Sequence, residues 1–184
     1  DGRIIFEQGG HLRVFDPATS NTTTLRVAVA SDLRETRERR VSNVDYVRNV
    51  STAPDLEQVA LEYRGEIVTV PAKKGAPIRN LTQSTGANDR SPAWSPSGSK
   101  IAWFSDESGD YALYITDRNG SGKPRRIAIN GGSGFYRDLK WSPDEKRVSF
   151  LDNAYSLYVL ELESGRATRI AENDYFDHTP FISH

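Results

Sequence analysis

Short runs that alternate apolar and polar residues recur along the chain, and turn-forming residues separate them. WSPSGSKIAWFS starts at Trp94, WSPDEKRVSFLD at Trp141, and a worn copy, STAPDLEQVALEY, at Ser51. Each is followed by a second alternating run, EIVTVPA, YALYITD or SLYVLEL, and then by a third, PIRNLT, PRRIAI or ATRIAE. Pro54, Pro96 and Pro143 keep the register, 42 and 47 residues apart. A repeat of that period, made of several short strands, predicts a β-propeller blade.

The pattern predicts three full blades. The first runs from about Val44 to Thr82, with strands Tyr46–Val50, Val59–Tyr63, Ile67–Pro71 and Ile78–Leu81. The second runs from Ser91 to Ile129 and the third from Tyr136 to Ile170. Ahead of them, Gly2–Phe6, His11–Phe15 and Thr23–Val29 read as a blade lacking its inner strand, while His178–Ser183 reads as an inner strand of a blade that is not completed. The fold class is therefore all-β, a partial β-propeller with three complete four-stranded blades, an incomplete N-terminal blade and a lone C-terminal strand. Asp32–Arg40 breaks the pattern, with seven charges in nine residues, and predicts a solvated connector. In the repeated Trp-Ser-Pro, tryptophan ends the inner strand and buries its ring between blades, and proline fixes φ at the bend.

Composition removes several function classes. Of 184 residues, 24 are basic and 25 acidic, and the net charge of −1 argues against nucleic acid or an anionic membrane as partner. No apolar run approaches the roughly 18 residues of a membrane span. The absence of cysteine excludes disulfides and thiolate metal sites. Gly120-Ser121-Gly122-Lys123 lacks the earlier glycine and the following Ser/Thr of a phosphate loop, having Asp117 and Pro124 there. His11, His178 and His184 are the only histidines, no pair has ligand spacing, and no Gly-x-Ser-x-Gly elbow exists. No catalytic, cofactor-binding or metal-binding residue is assigned, and no cofactor is expected.

The surviving candidates belong to the propeller axis, because inner strands line the central channel. These are Arg48, Asn49, Arg90, Arg137, Asp138 and Lys140, together with Ser91. Aligned by register, Arg48, Arg90 and Arg137 fall at equivalent places, and an arginine ring there would steer peptide carboxylates. The alternative is that these arginines pair with acids on neighbouring blades.

Several stretches resemble the tricorn protease family: EYRGEIVTVPAKKG (Glu62–Gly75), RSPAWSPSGSKIAWFSDESGDYALYI (Arg90–Ile115), LKWSPDEKRVSF (Leu139–Phe150) and FEQGGHLRVFDPAT (Phe6–Thr19). The Trp-Ser-Pro phrase alone is shared with TolB and prolyl oligopeptidase propellers; the combination is more specific to tricorn. The resemblance implies a large serine peptidase with two successive propellers and a catalytic core beyond them. It implies that residues 1–30 close the first propeller, 31–43 link, and 44–184 give the first three blades of the second plus one inner strand. It further implies peptides or unfolded polypeptide as substrate of the parent protein, assembly as a homo-oligomer, and no catalytic residue in this segment. The compartment stays open, since archaeal members are cytoplasmic and many bacterial ones exported. The expected function is thus a non-catalytic propeller segment that gates or guides peptides. Its rival is a TolB-like docking platform without peptidase activity. The charged connector favours an open arc of three blades over a four-bladed ring closed by pairing Ile4–Glu7 with Thr179–Ser183.

Overall fold

The computed structural model describes residues 2–8, 10–28, 45–130 and 134–172. They fall into two units, Asp1–Tyr46 and Val47–His184. The connector at Asp32–Arg40 and the strand expected at His178–Ser183, with its possible pairing, lie outside the described residues.

The smaller unit is an antiparallel meander of β1 (Ile4–Gln8), β2 (His11–Asp16) and β3 (Asn21–Thr24). Asp16 closes the β2–β3 turn by accepting the Ala18 N–H at 2.9 Å. β3 ends at Thr24 instead of running from Thr23 to Val29. Thr24 pairs with Arg13 and the Leu25 N–H reaches the Leu12 carbonyl at 2.8 Å, which brings the ladder to the start of β2. Among the described residues, no ladder partner follows for the alternating sequence beyond that point.

The larger unit holds three four-stranded antiparallel sheets, each in chain order. The first is β4 (Val47–Thr52), β5 (Gln58–Tyr63), β6 (Glu66–Pro71) and β7 (Arg79–Asn80). The second is β8 (Asp89–Trp94), β9 (Lys100–Ser105), β10 (Ala112–Asp117) and β11 (Arg125–Ala128). The third is β12 (Tyr136–Trp141), β13 (Arg147–Asp152), β14 (Leu157–Glu161) and β15 (Ala167–Ala171). No helix occurs among the described residues, so none is long and apolar enough to cross a membrane. All four strands of the first sheet differ from their expected bounds; β5 and β6 each begin one residue earlier, at Gln58 and Glu66. β4 starts and ends later than Tyr46–Val50, and β7 is shorter than Ile78–Leu81 because the Ile67 N–H goes to the Thr82 hydroxyl at 3.1 Å instead of a strand carbonyl.

The repeated phrase folds the same way three times. Leu56, Gly98 and Glu145 donate their N–H to the carbonyls of Ala53, Ser95 and Ser142 at 2.9, 2.9 and 3.0 Å. All three adopt left-handed φ, 61°, 69° and 57°, although only one is glycine. Ala53, Ser95 and Ser142 then return their own N–H to Gln58, Lys100 and Arg147.

The second sheet is packed on both faces, by the first sheet on one side and by the third on the other. Ala60 and Ile67 of the first sheet meet Trp94, Ile101, Trp103, Ala112 and Tyr114 of the second. Ala102, Phe104, Leu113 and Ile115 meet Tyr136, Val148, Phe150 and Leu160 of the third. The rings of Phe104, Tyr136 and Phe150 form a triangle with centroid distances of 5.4, 5.5 and 5.1 Å. Removing a fully buried ring such as Phe104 costs about 3–5 kcal/mol. Polar bonds add register between blades: Trp94 N–H to Ser51 Oγ at 3.0 Å, and Trp141 Nε1–H to the Ala93 carbonyl at 3.1 Å. The two tryptophans are Cα partners of Ile101 and Val148, so they occupy matching places.

Candidate functional site on the inner strands

The inner strands β4, β8 and β12 are spatial neighbours, and each carries one extra residue at the same point. In β4, Val47 opposes Tyr63 while Val50 opposes Leu61. In β8, Arg90 opposes Phe104 while Ala93 opposes Ala102. In β12, Arg137 opposes Leu151 while Lys140 opposes Ser149. Such a bulge bends the strand and re-aims side chains. Ser91 and Asp138 take φ of 52° and 55° to make it, and Pro92 sits where no ladder N–H is required. All six candidates therefore lie at or beside the bulges: Arg48 and Asn49 on β4, Arg90 on β8, and Arg137, Asp138 and Lys140 on β12.

Their partners differ from blade to blade. Asn49 Nδ2 donates to Glu62 Oε2 at 2.6 Å, and the Ser91 N–H donates to the same oxygen at 3.0 Å. Glu62 is 7% exposed and was not singled out by the sequence. The available signal is its register: it stands where the next blade places Phe104, a carboxylate at a core position. It ties the bulges of the first and second blades together.

Among the described residues, no acid of a neighbouring blade forms an ion pair with Arg90 or Arg137. The Arg90 guanidinium carbon lies 3.9 Å over the Phe135 ring, and that ring meets Tyr111 edge-on at 5.8 Å. Tyr111 accepts from Asn88 Nδ2 at 2.7 Å, and burial raises its pKa. The Arg137 guanidinium carbon lies 3.8 Å over Tyr155, with Asp138 Oδ2 at 3.8 Å from its Nε. Arg48 is exposed and Lys140 half-buried.

A second polar cluster lies between the first and second blades. Asp89, 1% exposed, accepts Trp103 Nε1–H at 3.2 Å and the Ser84 hydroxyl. Glu66 Oε2 accepts the Thr82 hydroxyl at 2.6 Å and the Ser84 N–H at 3.0 Å. Burial pushes the Asp89 pKa up; hydrogen bonds from Ser105, Ser84 and Thr82 oppose that shift, and the nearby Glu66 charge adds to it. The cavity beside Asp89, about 210 Å³, is lined by Ser84, Trp103, Ser105, Tyr114 and Pro124. No histidine among the described residues of this unit stands ready to take a proton from Ser84, so the cluster reads as a structural network.

No family model matches the chain. A tricorn protease homolog of Saccharolobus solfataricus is 25% identical over 173 residues, covering 94% of this chain and 15% of the relative. A dipeptidyl-peptidase 5 of Porphyromonas gingivalis is 36% identical, covering 88% of this chain and 27% of the relative. Among solved structures, the tricorn protease superposes with a TM-score of 0.60 at 17% identity, over 94% of this chain and 16% of that one. A TolB-type protein of Agrobacterium tumefaciens gives 0.58 at 16% identity, over 94% of this chain and 59% of that one. The structural matches establish the partial β-propeller. The sequence match agrees with the resemblance carried by the repeated phrases: the chain is similar to a tricorn-family segment, and it spans only a small fraction of those relatives.

Proposed function

We propose that this chain is the non-catalytic propeller portion of a tricorn-like serine peptidase, and that its inner strands gate or guide peptides toward an active site carried elsewhere in that protein. The observation that supports this reading is the alignment of three bulged inner strands, which presents Arg48 and Asn49, Arg90, and Arg137 and Asp138 at matched positions. A row of cationic and amide groups along neighbouring inner strands suits the carboxylates and backbone of an extended peptide. Residues 1–30 would close a preceding propeller, 31–43 would link, and 44–184 would open the next. The name of the Saccharolobus relative, a protease homolog, adds support for peptides as what the parent protein processes.

The test has two arms. Purified chain incubated with fluorogenic peptides and a serine-directed probe is expected to show no specific turnover and no labelled serine. In the protein that carries this segment, replacing Arg90 and Arg137 by Gln is expected to slow cleavage of long peptides and leave a dipeptide substrate unaffected. Equal effects on both substrates would remove the guiding role. The second reading, a TolB-like docking platform, is favoured by the larger share of the TolB-type chain that is matched. It predicts stable capture of a folded partner and no coupling to peptide length.

A further inference from the structure

We infer that the paired stacks at Arg90 and Arg137 select peptide carboxylates, an acidic side chain or a free C-terminus, beside an apolar or aromatic residue, and that Arg90 is the stronger of the two. This rests on the peptide-guiding reading and names the substrate class of the same surface.

The argument starts from how the guanidiniums are held. The ring centroids of Phe135 and Tyr155 lie 3.9 and 3.8 Å from the two guanidinium carbons, so each cation rests over an aromatic face. A guanidinium stacked in this way keeps its donor edges in the plane, the geometry that meets a carboxylate with two parallel hydrogen bonds. The plates come from different places. Phe135 enters from the segment leading into β12 of the following blade, while Tyr155 stands between β13 and β14 of the same blade as Arg137. Different supports at equivalent register positions, 47 residues apart, produce the same stacked arginine.

Two features set the ligand. Phe135 is 38% exposed and carries Tyr111 against its edge, so an open aromatic surface adjoins the Arg90 charge. A side chain neighbouring the bound carboxylate would cover that surface. Asp138 lies 3.8 Å from Arg137 Nε and offsets part of its charge, whereas no ion pair involves Arg90 among the described residues. That difference ranks the two positions.

Three labelled hexapeptides test the inference by fluorescence anisotropy on the purified protein. One carries Glu beside Phe with an amidated C-terminus, one is neutral with a free C-terminus, and one is neutral and amidated. At least one carboxylate peptide is expected to bind about fivefold or more tightly than the neutral amidated one, and added salt should shrink the gap. R90Q should erase the preference, R137Q should reduce it by a smaller factor, and D138N should enlarge it. R90K keeps the charge and loses the fork, so an intermediate preference is expected, and this variant serves if R90Q fails to fold. Equal binding of all three peptides would overturn carboxylate selection and leave peptide guiding standing. An R137Q effect larger than that of R90Q would overturn the ranking. Failure of every peptide to bind would remove both.

Discussion

Replacing Asp89 gives the sharpest check on how the first two blades are joined. Its carboxyl is buried, accepts the indole N–H of Trp103 at 3.2 Å, and takes the Ser84 hydroxyl. In Asp89→Ala the indole of Trp103, itself 2% exposed, loses its acceptor, and leaving a buried donor unpaired costs about 1–3 kcal/mol. The Ser84 hydroxyl adds little, because Glu66 Oε2 at 3.5 Å offers it a second acceptor. Asp89→Ala should therefore lose about 2 kcal/mol. Asp89→Asn keeps an oxygen for Trp103 and cannot ionise. Since the folded pKa of Asp89 is raised, its contribution is fully present below the ordinary value of 3.8 and is lost as pH rises through the folded value. Wild type should thus lose stability relative to Asp89→Asn as pH rises from 4 toward 8. Urea unfolding of the three proteins at several pH values measures this. If Asp89→Asn is as damaged as Asp89→Ala at pH 8, or if the wild-type difference does not change with pH, the account of a buried carboxyl bridging two blades is wrong.

Other consequences are local. Leu56 is exposed with φ of 61°, so Leu56→Gly should be neutral to stabilising by up to about 1 kcal/mol, whereas Gly98→Ala at φ 69° should destabilise by about 1 kcal/mol; thermal midpoints separate the two. The Glu145 carboxylate accepts the Ser97 N–H at 2.7 Å and pairs with Lys100 at 3.4 Å, and hydrogen bonding from Ser97 with these partners holds its pKa at about 2. Its contribution is present above the ordinary value of 4.5 and fades as pH falls toward 2, so Glu145→Gln should flatten the acid limb of the urea-midpoint curve. Trp141→Phe removes the bond to Ala93, while Trp94 Nε1 is buried with no hydrogen-bond partner among the described residues, so Trp94→Phe should cost about 1 kcal/mol less than Trp141→Phe in denaturant titrations. Equal losses would mean that the indole bond between the second and third blades contributes nothing.

The strands and their order were legible because their signals are local. Alternation with period two, turn residues and the spacing of Pro54, Pro96 and Pro143 act within a few residues of themselves. The arginine register was legible for the same reason, since it follows from counting along repeated phrases. Even so, alternation alone overran at β3, because the ladder with β2 stops near the start of that strand, where the chain turns back to β1.

What surrounds each candidate was decided only in three dimensions. Ser91 and Asp138 adopt left-handed φ to form the bulges, a conformation their residue types do not announce. Glu62 reads as one acid in an ordinary strand, yet packing against the second blade buries it under two donors from different strands. Phe135 and Tyr155 belong to turns and linking segments, and nothing in their neighbouring residues marks them as plates for Arg90 and Arg137. Asp89, Glu66 and Trp103 come from three strands whose approach depends on blade-to-blade packing. The sequence by itself determined the repeat, the strands and the matched arginines, because backbone geometry and side-chain period are short-range. The tertiary structure decided what those arginines touch and which carboxyls lose water, because desolvation and ring stacking depend on residues brought together from separate elements.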